Sequence, residues 1–192
     1  MSQALAQKHS EKFGSLPMDA GLVVAGSLLM AVCAHVSIPL WFTPVPITLQ
    51  TFGVAVLALS LGGWRSAAAL SLYLIEGAAG LPVFSPHGVG GIAQLVGPTG
   101  GYLMAYPLAT LIGGMLAERS TPQSKLVRFT LAALSCDAII LFCGATWLLL
   151  TAHRPVATIF MLAVLPFLPG EILKSSAAVV VTLGKERLFR TS

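Results

Sequence analysis

The chain has 192 residues, of which 56% are hydrophobic and only 9% charged, against roughly a quarter charged in an ordinary soluble domain. This excludes a fold with a conventional polar surface and points to one membrane-embedded domain whose helices are apolar all round. A formal net charge of +4 does not indicate a nucleic-acid binder, because the basic residues sit in short segments between apolar runs and form no stripe.

Residues 1–19 are polar and mixed in charge, which is no secretory signal and reads as a tail. Apolar runs follow at about 20–38, 48–62, 64–77, 100–117, 127–150 and 156–184. Each is read as helix, because only helices and closed barrels satisfy their backbone groups in lipid, and no alternating strand pattern recurs. The second and third runs are shorter than the roughly 20 residues of a straight span, and Gly62-Gly63-Trp64-Arg65 makes a tight turn between them. Pro166 and Pro169 divide the last run into a short surface or re-entrant helix at 156–165 and a sixth span at 169–184. The prediction is an all-α integral membrane protein with six transmembrane helices at 20–184, and tails at 1–19 and 185–192.

Charge sets the orientation. With both ends on one side, Lys8, Lys12, Arg65, Arg119, Lys125, Arg128, Lys185, Arg187 and Arg190 share a face. Arg154 alone lies opposite, and Lys174 lies inside the sixth span. By the positive-inside rule both termini are cytoplasmic and the protein is multi-pass in the cell membrane. The outer loops, about 38–47, 78–99 and 151–155, include two nearly uncharged segments rich in Gly, Pro and aromatic residues: Ser37-Ile38-Pro39-Leu40-Trp41-Phe42-Thr43-Pro44-Val45-Pro46 and Gly80-Leu81-Pro82-Val83-Phe84. These read either as a lid over a cavity or as interfacial loops anchored by aromatics.

In this topology the second, fourth and sixth spans start at the outer face, at Pro46-Ile47-Thr48, Gly97-Pro98-Thr99-Gly100-Gly101-Tyr102 and Pro169-Gly170-Glu171. Each start exposes unpaired N–H groups and the positive end of a helix dipole. Together they make either three tight turns or a receptor for a carboxylate or polar carbonyl. Thr99 is a candidate cap, and glycines 97, 100 and 101 permit close backbone approach and positive φ. Lys174, at i+3 from Glu171, is either half of a pair reaching the interface or a ligand-binding ammonium held by Glu171. Gln50, Tyr73 and Glu76 are within reach of the same cavity. Asp137, in the inner half of the fifth span, reads as structural. Small residues on the first span, Gly21 with Ala25 and Ser27 with Ala31, serve internal packing or a partner helix. Cys33, Cys136 and Cys143 fall inside apolar runs, without disulfide or metal spacing. His35 and His87 lack companions for a metal site. Phosphate-loop, HExxH and GxSxG motifs are absent, so neither ATP hydrolysis nor another catalytic activity is expected.

These segments resemble a known family. Ile38-Pro39-Leu40 with Pro44-Val45-Pro46-Ile47-Thr48-Leu49-Gln50-Thr51 looks like its first-loop signature. Tyr73-Leu74, Gly80-Leu81-Pro82-Val83-Phe84, Gly90-Gly91 and Gly97-Pro98-Thr99-Gly100-Gly101-Tyr102-Leu103 look like its central one. Pro166-Phe167-Leu168-Pro169-Gly170-Glu171-Ile172-Leu173-Lys174 looks like its last. The family is BioY, the biotin-specific S components of energy-coupling factor (ECF) transporters, and the likeness covers about residues 20–185. This chain departs at Glu171, where Asp is more usual.

The resemblance implies the ECF S-component fold and high-affinity biotin capture, with biotin as cargo and no cofactor. It also implies work with a transmembrane coupling protein and two ABC-type ATPases, docked through small residues such as Ser27 and Ala31. The expected biotin-binding residues are Lys174, Glu171, Gln50, Thr48, Tyr73, Thr99, Gly100, Gly101, Tyr102, Trp41 and Phe84. Lys174 and the helix starts would take the carboxylate. Trp41, Phe42 and Phe84 would cover the apolar ring, and Gln50, Thr99, Tyr73 or Glu171 would read the ureido group. The competing expectations are a solitary vitamin transporter and, less in keeping with the motifs, a membrane enzyme acting on lipid or prenyl substrates.

Overall fold

A computed structural model of the chain describes residues 16–119, 122 and 124–190, the last five by backbone alone. Lys8 and Lys12 lie outside the described residues, as do the side chains of Arg187 and Arg190.

Among the described residues the regular structure is helical apart from one small strand pair. Its elements are α1 (Leu16–His35), β1 (Ser37–Ile38), β2 (Ile47–Thr48), α2 (Gln50–Leu61), α3 (Gly63–Ala78), α4 (Gly91–Val96), α5 (Gly100–Glu118), α6 (Lys125–Ala152), α7 (Val156–Ala163) and α8 (Leu168–Arg190). The first helix starts inside the stretch assigned to the tail and stops before residue 38, because Ser37 and Ile38 pair antiparallel with Thr48 and Ile47. Alternation could not reveal strands two residues long. The last helix continues to Arg190, inside the stretch assigned to the second tail.

Among the described residues three helices, α1, α5 and α6, are individually long and apolar enough to cross a membrane. The pair α7 and α8, bent by 44°, would make a fourth span. The 12 residues of α2 reach only ~18 Å, short of the ~30 Å hydrocarbon core. Gly62 alone separates α2 from the 16-residue α3, at φ +78. This conformation suits glycine, and the turn nests on α5, where a Cβ on Gly114 would lie 2.4 Å from the Gly63 nitrogen. Beside it, Arg65 Nε at the start of α3 lies 2.8 Å from Asp19 Oδ1 at the start of α1.

The most buried of the candidate spans is α5, and its contact with α6 is the most extensive in the fold. Small residues make this approach possible, as expected where lipid supplies no drive for helix association. A Cβ on Gly101 would meet Trp147 at 2.1 Å, one on Gly113 would meet Cys136 at 2.3 Å, and one on Gly144 would meet the Tyr102 ring at 2.3 Å. Large apolar side chains, among them Leu28, Phe142, Leu173 and Val180, point outward, which suits a chain solvated by lipid.

The α7–α8 break follows from Pro166, which has no N–H to offer the carbonyl four residues back. That carbonyl, of Leu162, instead accepts the Thr43 hydroxyl at 2.9 Å, and the adjacent Ala163 carbonyl accepts the Tyr102 hydroxyl at 2.8 Å. Buried acceptors need such partners. The proline interruption is therefore tied to the 38–47 loop and to α5.

Candidate binding site

The cleft begins with three helix starts. Thr48, Gln50 and Thr51 come from the start of α2, Thr99, Tyr102, Leu103 and Tyr106 from the start of α5, and Phe167, Glu171 and Lys174 from the start of α8. They surround about 580 Å³ of atom-free space, a figure that includes space open to the outside. Val45 and Pro46 of the first loop, Ser85 of the second, Gln94 of α4 and the middle of α6 at Ile140 and Leu141 complete the wall. Two shallower grooves run along α6, lined almost wholly by apolar side chains. Of these three, the first alone is lined by charged side chains.

That charge is one ion pair. Glu171 is 5% exposed, while its neighbours Ile172 and Leu173 point outward at 62% and 72%. Lys174, one helical turn along, shares the inward face. Its Nζ donates to Glu171 Oε1 at 2.6 Å and to the Thr48 carbonyl at 3.1 Å. The ammonium thus points into the protein and ties the start of α8 to the strand before α2. Glu171 Oε2 is buried and receives no donor among the described residues, and the same holds for Thr51 Oγ1 elsewhere in the lining.

Further residues set the shape. Gln50 Nε2 donates to the Tyr73 hydroxyl at 2.9 Å, so Tyr73 stands behind Gln50 rather than in the wall. Phe84 packs edge-on against Tyr73 at 5.4 Å and lies over Gly77. It supports the cleft from outside the lining. Thr99 does not cap α5. Its backbone is already helical, and its hydroxyl accepts from Gln94 Nε2 at 2.9 Å.

Gly100 and Gly101 do not line the cleft, and neither has positive φ. Their missing side chains make room for the Leu95 carbonyl and Trp147. Trp41 is 96% exposed at the loop tip, with Phe42 against it, and neither reaches the wall. Tyr102, Tyr106 and Phe167 form the aromatic surface instead.

Of the eleven expected ligand residues, the cleft therefore collects Lys174, Glu171, Gln50, Thr48, Thr99 and Tyr102. It adds Thr51, Ser85, Gln94 and Tyr106, which the sequence reading passed over. Thr51 and Tyr106 follow Thr48 and Tyr102 at helical spacing, a signal present in the sequence. Gln94 and Ser85 come from loop geometry that no periodicity encodes. Ser27 is fully buried and donates to Glu76 of α3, and Ala31 packs against the core. Gly21, with open space around it, and the exposed Ala25 lie on the free side of α1.

Comparison with known proteins agrees with this architecture. Residues 6–191 match the BioY family. The chain is 36% identical to the probable biotin transporter BioY of Pyrococcus horikoshii, covering 85% of this chain and 93% of that protein. It is 35% identical to the biotin transporter BioY of Thermotoga maritima, covering 87% and 96%. A crystal structure of the S-component for biotin from an ECF-type ABC transporter superposes with a TM-score of 0.74 at 25% identity, over 91% of this chain and 92% of that one. With nearly its whole length matched and the helical frame shared, the chain belongs to the BioY family.

Proposed function

We propose that this protein takes up biotin across the cell membrane as the biotin-binding S component of an ECF-type transporter. Its family is one of transporters rather than enzymes. The observation that carries the reading is the buried Glu171–Lys174 pair in a cleft lined by three helix starts and aromatic rings. Biotin has a polar ureido head, an apolar sulfur ring and a carboxylate tail, and the cleft supplies a counterpart to each.

The ion pair alters which end goes where. Lys174 is already shared between Glu171 and the Thr48 carbonyl, so a ligand carboxylate would have to compete with Glu171 at close range. A neutral ureido group suits the pair better. Its N–H donates to the unpartnered Glu171 Oε2 or to Thr51, and its carbonyl accepts from Lys174. Tyr102, Tyr106 and Phe167 then cover the ring, and the polar groups of Ser85, Gln94 and Thr99 remain for the tail. Purified protein titrated with radiolabelled biotin and with its methyl ester tests this. Binding of biotin is expected, with the ester retaining most of the affinity; absence of biotin binding rejects the function, and loss of the ester alone returns the carboxylate to Lys174.

In this reading the chain crosses the membrane six times, with α2 and α3 as short spans and both termini cytoplasmic. The Arg65–Asp19 contact supports a common side for the α2–α3 turn and the start of α1, and the cleft then opens outward. A coupling protein docks on α1 and two ABC-type ATPases drive release. The open Gly21–Ala25 face fits a partner helix better than Ser27 and Ala31, which are engaged inside. Uptake into proteoliposomes by this chain without ATP would favour the alternative of a solitary transporter.

A further inference from the structure

Asp137 is a buried acid that the ligand reading leaves unused. It stands in the middle of α6, 5% exposed, and does not line the cleft. Its Oδ2 accepts the hydroxyl of Ser175, next to Lys174 on α8. Glu171 stands one helical turn before Ser175 on the same face of α8, so Asp137 meets the face that carries Glu171. Asp137 Oδ1 and Glu171 Oε2 are both buried, and neither receives a donor among the described residues.

Two ionised carboxylates have acceptors only, so neither can satisfy the other's open oxygen without a proton. Charge balance demands the same. With both acids ionised, the cluster would hold two negative charges against the single positive charge of Lys174, in surroundings that penalise uncompensated charge. Among the described side chains, no cation other than Lys174 is paired with either acid. From α8 come Glu171, Lys174 and Ser175, and from α5 the phenols of Tyr102 and Tyr106. On α6 the Cys136 thiol donates to the Ala109 carbonyl. The sequences of α2 and α7 contain no titratable side chain.

We propose that Asp137 is a positioning residue, a neutral acid whose proton is donated to Glu171 and holds Glu171 as the carboxylate that meets the ligand. The cluster then contains one ammonium, one carboxylate and one acid, and is neutral. Ser175 satisfies the other oxygen of Asp137 and fixes the carboxyl plane. When alkali removes the shared proton, it passes to water, the two carboxylates repel, and Glu171 is displaced from its place against Lys174. Ligand affinity is therefore full where the proton is held and falls as pH rises.

The binding part of the test rests on the biotin reading; the spectroscopic part does not. Full-length protein in nanodiscs is titrated with biotin from mildly acidic to alkaline pH, as wild type, Asp137→Asn and Asp137→Ala. Wild-type affinity is expected to fall with rising pH. Asp137→Ala should weaken binding by roughly 10- to 100-fold, the range of a hydrogen bond to a charged group. Asp137→Asn, whose amide can donate in place of the acid, should recover most of that loss and abolish the alkaline fall. Infrared difference spectra of ligand-free protein should show a protonated-carboxyl stretch that Asp137→Asn removes. A wild-type stretch that survives Asp137→Asn, or no such stretch at all, overturns the proposal, as does an alkaline fall unchanged in Asp137→Asn. Should wild type bind no biotin, the function fails while the infrared band still decides the proton.

Discussion

The two ends of the helix bundle are built from different materials. Where α2, α5 and α8 begin, they meet over aromatic rings, hydroxyls and an ion pair, with a cleft between them. Toward their other ends they meet over alanine: Ala55, Ala117, Ala132, Ala133 and Ala178 pack with Leu59, Phe129 and Val179. The contrast shows how one short bundle separates two tasks. Small side chains let backbones approach closely and keep the helices together, while the opposite end keeps room for a ligand and holds its polar groups by cross-bracing.

If the cleft end alone handles ligand, substitutions there should separate binding from stability. Lys174→Ala, which strands Glu171 without its cation, should have the largest effect. Biotin affinity is expected to fall by at least ~100-fold, the scale of breaking a buried charged pair, in an equilibrium binding assay. Next comes the alanine end. Ala133→Leu forces bulk into a filled seam and should cost about 1–3 kcal/mol of stability, read as a lower unfolding midpoint in detergent, while the folded fraction binds biotin with unchanged affinity. A comparable loss of affinity would dissolve the division between the ends. Tyr102→Phe removes the donor to Ala163 and should destabilise by about 1 kcal/mol, with a severalfold loss of affinity because the ring also lines the cleft. The smallest effect is expected of Trp41→Ala. A side chain 96% exposed at a loop tip should change affinity less than about twofold, the ±0.5 kcal/mol usual for surface positions; a larger change would show that the tip folds down onto the ligand.

The cleft end was also the more legible end in the sequence. Prolines and glycines punctuate its helix starts, and an ammonium three residues after a carboxylate in an apolar run stands out against its surroundings. Lys174, Glu171, Gln50, Thr48 and Thr99 could therefore be found from local pattern. The alanine seam could not, because helices that are apolar all round carry no facial signal. Trp41 and Phe84 show a second limit. Aromatic residues in an apolar loop suggest cover for a ligand, but whether each turns in or out depends on tertiary contacts such as the Phe84–Tyr73 edge. Asp137 shows a third. Its contact with Ser175 spans 38 residues, a distance over which spacing says nothing, and its significance appears only when the charges around Lys174 are counted. Gly100 and Gly101 looked like a ligand-facing turn because their role, admitting Trp147 and Leu95, lies on two other helices, α6 and α4.

Pro166 has one more effect, on what the 38–47 loop is fastened to. Its missing N–H leaves Leu162 dependent on the hydroxyl of Thr43, in the loop that supplies Val45 and Pro46 to the cleft wall. Removing that hydroxyl would strand an acceptor with no helical partner to return to, a cost of about 1–3 kcal/mol if water does not reach it. One stretch of the cleft wall and the bend between α7 and α8 thus share a fastening: a carbonyl that a proline set free.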